Sequence, residues 1–183
     1  DITDNKINIY KIIKDCQILI NCVGEINDNK NMEFLNTKSV TKIIKSINSS
    51  SLKKKIHFIQ ISSCSVYKQN YFYKDTYINI NEEYEKFSTD LYGNSKLKAD
   101  LEIIKKSNNG KYNYTIIRPS SVISKNMKNK ILIKLIKLIK LKKFFYINNN
   151  KSIASYIHID DLNNGILKII VNNKSKNKIY FPR

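Results

Sequence analysis

Apolar residues in this chain gather into three short runs, separated by stretches where they recur every three or four positions. The runs are QILINCV at 17–23, IHFIQIS at 56–62 and YNYTIIR at 112–118. Runs this short, closed by Gly24 or stopped by Pro119, predict buried strands. Ile9, Ile12 and Ile13 predict a helix within 5–14. Leu35, Val40, Ile43, Ile44 and Ile47 share one face of a longer helix, and residues 91–106 form another. A polar, Tyr-rich loop joins the second strand to about Asp90. Strands alternating with helices imply βαβ units and a parallel sheet covered on both faces. The expected fold is α/β, Rossmann-like and doubly wound.

Beyond Pro119 the pattern loosens. Residues 127–143 (MKNKILIKLIKLIKLKK) predict a helix that packs on the core through Ile131, Leu132, Leu135, Ile136, Leu138 and Ile139, with its Lys residues on the wet side. The punctuating Lys134, Lys137 and Lys140 also fit a membrane-surface helix, a weaker reading. Residues 144–147 and 155–159 predict short strands, and Asp160 would cap a last helix. There is no internal repeat and no linker, so residues 1–183 read as one domain.

Composition changes this picture little. The 183 residues are 42% hydrophobic, enough for a core. No apolar run reaches the ~18–20 residues of a membrane span. DITDNKINIY is no signal peptide, so the expected location is cytoplasmic. A net charge of +18 suggests nucleic acid, but Lys outnumbers Arg 31 to 2. Arg makes most bidentate phosphate and base contacts. An excess of Ile, Lys and Asn, the residues of AT-rich codons, points to mutational bias and to no nucleic-acid partner. Cys16, Cys22 and Cys64 lack metal-ligand or disulfide spacing, and with two His no metal site is expected.

Ligands of such sheets bind outside the carboxyl ends of the strands. Three ends are small or hydroxyl-bearing: Asn21-Cys22-Val23-Gly24, Ser62-Ser63-Cys64-Ser65-Val66-Tyr67 and Arg118-Pro119-Ser120-Ser121. Gly24 would let backbone approach a ligand closely. Between the second and third ends stands Tyr92-Gly93-Asn94-Ser95-Lys96. On a helix, Tyr92 and Lys96 share a face, and a nearby ammonium would lower the phenol pKa and make Tyr92 a general acid/base. Tyr10 and Lys14 have the same spacing. Only Tyr92 follows a strand ending in a Ser cluster and opens a long helix.

With these motifs the chain resembles the extended short-chain dehydrogenase/reductases, the NAD-dependent epimerase/dehydratase group acting on nucleotide sugars. Asp1-Ile2 resembles the pair that contacts adenine, and Asn21 to Gly24 resembles the strand end along the cofactor. Asn36 resembles the Asn opening the next long helix. Ser63-Cys64-Ser65-Val66-Tyr67 resembles the S-x-x-V-Y motif, and Tyr92 and Lys96 fall on the catalytic pair. Arg118-Pro119-Ser120 resembles the segment beside the nicotinamide, and Tyr156 to Leu162 the His-x-x-Asp segment leading back from the substrate region. The resemblance implies catalytic Ser63, Tyr92 and Lys96. It implies cofactor contacts from Asp1, Ile2, Asn21, Cys22, Val23, Gly24, Ser62, Tyr92, Lys96, Pro119 and Ser120, and NAD or NADP as cofactor. It further implies a nucleotide-sugar substrate, met in part by about 120–160; the family often dimerises, which leaves a homodimer open. Members of surface-polysaccharide sugar pathways are the most similar.

The chain departs from the family pattern in places. Lys68, Ser121 and Ser124 stand where Gly, Asn and Gly are usual. Cys64 and Ser65 stand where dehydratases carry acids, which favours an epimerase or simple oxidoreductase. No G-x-x-G-x-x-G occurs. The phosphate-binding turn and its strands, roughly 60 residues, would precede Asp1, so the expectation is a truncated form whose sheet lacks its central first strand. A non-catalytic binding or scaffold protein that has lost cofactor binding is the alternative.

Overall fold

A computed structural model describes residues 2, 4, 7–49, 54–67, 80–108, 110–127, 130–145 and 154–183. The strands are β1 (Ile18–Asn21), β2 (Ile56–Ile61), β3 (Tyr112–Ile117), β4 (Ser121–Ile123), β5 (Tyr156–His158) and β6 (Lys178–Tyr180). One parallel sheet runs β1-β2-β3-β6, and β4 pairs with β5 in a separate parallel ribbon. The three apolar runs are thus neighbouring strands. β4 and β6 were not expected from sequence, because three residues are too few to display a period.

The helices are α1 (Ile9–Ile13), α2 (Asn29–Glu33), α3 (Ser39–Asn48), α4 (Leu91–Ser107), α5 (Lys130–Lys140) and α6 (Ile159–Val171). A π-helical turn, Phe34–Lys38, joins α2 to α3. Asn8, Asp28 and Asp90 cap α1, α2 and α4, their side chains accepting from the Lys11, Lys30 and Gly93 amides. On one sheet face, Ile9, Ile13, Val40, Ile44, Ile47 and Ile103 pack against Ile56, Phe58, Tyr112 and Ile116. On the other, Leu162 packs with Ile59, Ile117 and Ile157. Helices therefore cover both faces, as a doubly wound sheet requires.

Three expectations for the last third are corrected. The cap of α6 is His158, two residues earlier than expected, and its ring accepts from the Asp160 amide at 3.3 Å. Phe144 and Phe145 are not in a strand, and the rest of that predicted strand lies outside the described residues. The helix α5 forms but does not pack on the core: Ile133, Ile136, Leu138 and Ile139 are 43–53% exposed. Amphipathic spacing fixes which residues share a face, and not what that face meets. Among the described residues no helix is long and apolar enough to cross a membrane.

Candidate active site

Because β1, β2 and β3 are parallel neighbours, their carboxyl ends lie side by side. At the end of β1, buried Asn21 donates Nδ2 to Gln60 Oε1 at 2.8 Å and accepts from the Val23 amide at 3.1 Å. This locks the turn into Cys22, Val23 and Gly24, and the Cys22 thiol is exposed and free. A Cβ on Gly24 would lie 3.4 Å from both Lys96 Nζ and Asn36 Oδ1. The backbone at Gly24 thus passes directly beside the lysine.

Asn36 sits in the π-helical turn rather than at the opening of the helix. The extra residue of such a turn redirects a side chain without ending the helix. Its buried amide donates to the Glu25 carbonyl and to Ser95 Oγ, each at 2.8 Å, and accepts from the Glu25 amide at 2.8 Å. Asn36 therefore ties the loop after β1 to the first turn of α4.

At the end of β2, Ser63 caps a 3-10 turn, Cys64–Val66, and its hydroxyl accepts from the Ser65 amide at 3.2 Å. The same hydroxyl donates to Ser65 Oγ at 3.2 Å and stands close enough to the Tyr92 phenol to favour its ionised form. Gly93 makes that meeting sterically feasible. A Cβ there would collide with the Ser65 carbonyl and the Ser88 hydroxyl, so the start of α4 presses on the serine turn.

Lys96, one helical turn on, is 3% exposed and donates Nζ to the Ile61 carbonyl at 2.8 Å. Burial pushes its pKa down, while Asp100 and Cys22 oppose that fall. The phenol of Tyr92 does not titrate as the sequence suggested. Burial raises it, the neighbouring Ser63 hydroxyl lowers it, and Cys64 and Asp90 raise it further. The expected lowering is corrected: the net direction is upward, and the Lys96 ammonium is bonded to the Ile61 carbonyl at the end of β2.

The remaining sequence-predicted residues divide. Pro119 accepts at its carbonyl from the Cys64 amide at 3.0 Å, joining the β3 end to the serine turn. Ser120 is buried, and its Oγ has no hydrogen-bond partner among the described residues. Ser62 is turned inward, donating Oγ to Asp100 Oδ2 at 2.9 Å. Ile2 packs against the helical core, and its carbonyl accepts from Lys42 Nζ at 3.3 Å, apart from the triad. Asp1 lies outside the described residues. Tyr10, of the competing Tyr-x-x-x-Lys pair, is 40% exposed on α1. Sequence reasoning missed Asp100, because its place four residues after Lys96 on one helix face does not distinguish a buried acid from a surface pair. A cavity of about 310 Å³ lies under α6, lined by Ile117, Leu162, Ile166, Tyr180 and Phe181, and by no member of the triad.

A parallel α/β sheet with a Ser at the end of β2 and a Tyr and a buried Lys one turn apart on α4 defines a Rossmann-like protein. The chain belongs to the NAD dependent epimerase/dehydratase family, whose model matches residues 1–181. No curated protein sequence matches it. Its fold is similar to that of UDP-glucuronic acid 4-epimerase from Bacillus cereus, solved with UDP-glucuronic acid and NAD. The TM-score is 0.78 at 17% identity, over 99% of this chain and 57% of that one. It is also similar to dTDP-glucose 4,6-dehydratase from Bacillus anthracis in complex with NAD (TM-score 0.72, 17% identity, 91% and 51% covered). A third is RMD from Pseudomonas aeruginosa complexed with NADPH (TM-score 0.70, 16% identity, 90% and 59% covered). The chain thus spans a little over half the length of these structures.

Proposed function

We propose that the protein is an NAD(P)-dependent nucleotide-sugar epimerase or oxidoreductase, working in the cytoplasm, with Ser63, Tyr92 and Lys96 as its catalytic residues. The observation that carries this reading is the closeness of Ser63 to the Tyr92 phenol at the carboxyl end of β2, with a buried Lys96 one turn further along α4. The strand ends suit a dinucleotide. Exposed backbone at Gly24 runs beside the Lys96 ammonium, and the buried Ser120 hydroxyl has no hydrogen-bond partner among the described residues. Gly24, Lys96, Pro119 and Ser120 would hold the nicotinamide end. When bound, a nicotinamide accepts a hydride from a sugar carbon and can return one.

The residues of the chain handle the proton. Ser63 holds the reacting sugar oxygen, and Tyr92 takes its proton as the hydroxyl becomes a carbonyl and gives it back on reduction. Burial raises the Tyr92 phenol, and the buried Lys96 ammonium one helical turn away would favour its ionised form during the proton transfer. Cys64 and Ser65 follow Ser63 without a carboxylate, so no acid stands there to expel water from the sugar. This favours epimerisation or simple oxidation over dehydration.

The test is Tyr92→Phe in the full-length protein, assayed with NAD and UDP-sugars by proton NMR of the sugar ring. Turnover should fall by about 10²- to 10⁴-fold with the circular dichroism spectrum retained. Unchanged turnover would overturn the assignment. Failure of the parent protein to bind either dinucleotide would instead favour a non-catalytic binding protein.

A further inference from the structure

Behind Ser63 and Tyr92 lies a group of charges for which the chemistry above has no use. Asp100 and Arg118 are fully buried, with Arg118 Nε 2.9 Å from Asp100 Oδ2. Ser62 Oγ donates to that same oxygen at 2.9 Å. Arg118 Nη1 donates to the Tyr67 hydroxyl at 3.2 Å, and the guanidinium lies 5.1 Å from the Tyr67 ring centre. Asp100 Oδ1 and Arg118 Nη2 have no hydrogen-bond partner among the described residues.

Asp100 and Arg118 alone would be a neutral pair. Lys96 adds a second buried cation one turn before Asp100, on the same face of α4. Among the buried described residues Asp100 is the one carboxylate, set against two cations. Buried charge without an opposite partner is strongly disfavoured, so the carboxylate has two cations to satisfy.

We propose that Asp100 is a positioning residue, the buried counter-ion that keeps Lys96 charged with its ammonium held to the Ile61 carbonyl. Arg118 and Ser62 anchor that carboxylate to the ends of β3 and β2. The function given to Lys96 rests on the catalytic reading above; the counter-ion role does not. The other ionisable groups around Lys96 and Asp100 are the Cys22 thiol from the β1 end, Arg118 from the β3 end, and Tyr67 beyond Arg118 with Glu82 beside it. Tyr92, with Asp90 and Cys64 beside it, precedes Lys96 on α4.

The test is the titration of Lys96, followed by NMR on the full chain carrying ¹³Cε-lysine, the signal assigned by its loss in Lys96→Met. Lys96 should be charged at neutral pH. Asp100→Asn should lower its midpoint by about one pH unit or more, and Asp100→Glu should keep it. Ser62→Ala removes a hydrogen bond and no charge, so it should leave the midpoint in place. An unmoved midpoint in Asp100→Asn, or an equal shift in Ser62→Ala, would reduce Asp100 to a packing role. A Lys96 already neutral at pH 7 in the unsubstituted chain would also overturn the idea, even if the Asn variant fails to fold. If Tyr92→Phe leaves turnover intact, the catalytic reading falls while this titration still decides the counter-ion.

Discussion

His57 shows how a single side chain sets a pH dependence away from the candidate site. It is buried on β2, with Nε2 2.7 Å from Thr115 Oγ1. The Thr115 hydroxyl donates its one proton to the Ser175 carbonyl at 2.8 Å. It can therefore only accept from His57, which places the proton of the neutral ring on Nε2. Burial lowers the pKa of His57, and the Lys176 charge lowers it further. The unfolded chain then binds a proton more readily than the folded one. Stability is complete above the unfolded value of about 6.5 and is lost as pH falls towards and through the lower folded value. The melting temperature should drop between about pH 7 and 5, and His57→Gln should flatten that slope relative to the parent. Parallel slopes in the two proteins would show that His57 does not carry the effect.

At the level of elements, the start of α4 decides whether Ser63, Tyr92 and Lys96 come together. Asp90 accepts from the Gly93 amide at 2.6 Å, and Gly93 lets the helix press on the Ser65 carbonyl. Asp90→Ala should cost about 1 kcal/mol in urea unfolding and leave the Ser63–Tyr92 pairing in place. Gly93→Ala should cost more, about 1–3 kcal/mol, because the added methyl meets fixed backbone. It should also depress turnover, since relief comes only by moving Tyr92 away from Ser63. Equal stability losses without an activity difference would separate Gly93 from the site. Much of this region was legible from sequence. β2 is buried along nearly its whole length and its neighbours β1 and β3 in part, so all three appear as short, mostly apolar runs, and Tyr92 stands at a helix start after a serine-bearing strand end. Asp100 was hidden, because an acid on a Lys-rich helix reads as a surface pair until burial is known. The direction of the Tyr92 pKa was misread for a related reason. Spacing put Lys96 on the same helix face, but only the fold shows that its ammonium points to Ile61.

Across the whole molecule, protection from solvent is unevenly distributed, and the sheet order says where it should be strongest. β2 hydrogen-bonds to β1 on one side and β3 on the other over its length. β3 has β2 along one edge and the short β6 along part of the other. β1 ends the sheet, with one edge unpaired among the described residues and Ile20 38% exposed. Among the described residues three helices pack over one face of this sheet, and α6 with the β4–β5 ribbon over the other, while the apolar side of α5 is largely exposed. Amides that open only when the core opens exchange at the rate of global unfolding, and those on unsupported elements exchange locally and much sooner. Hydrogen exchange read by mass spectrometry should therefore rank β2 and β3 slowest, β1 and β6 intermediate, and α5 fastest by orders of magnitude. The ranking tests the architecture independently of any activity. Protection of α5 equal to that of β2 would mean that its apolar face is covered in solution. Dilution would then distinguish a second copy of the chain, whose cover is lost at low concentration, from an intramolecular one, whose cover is not.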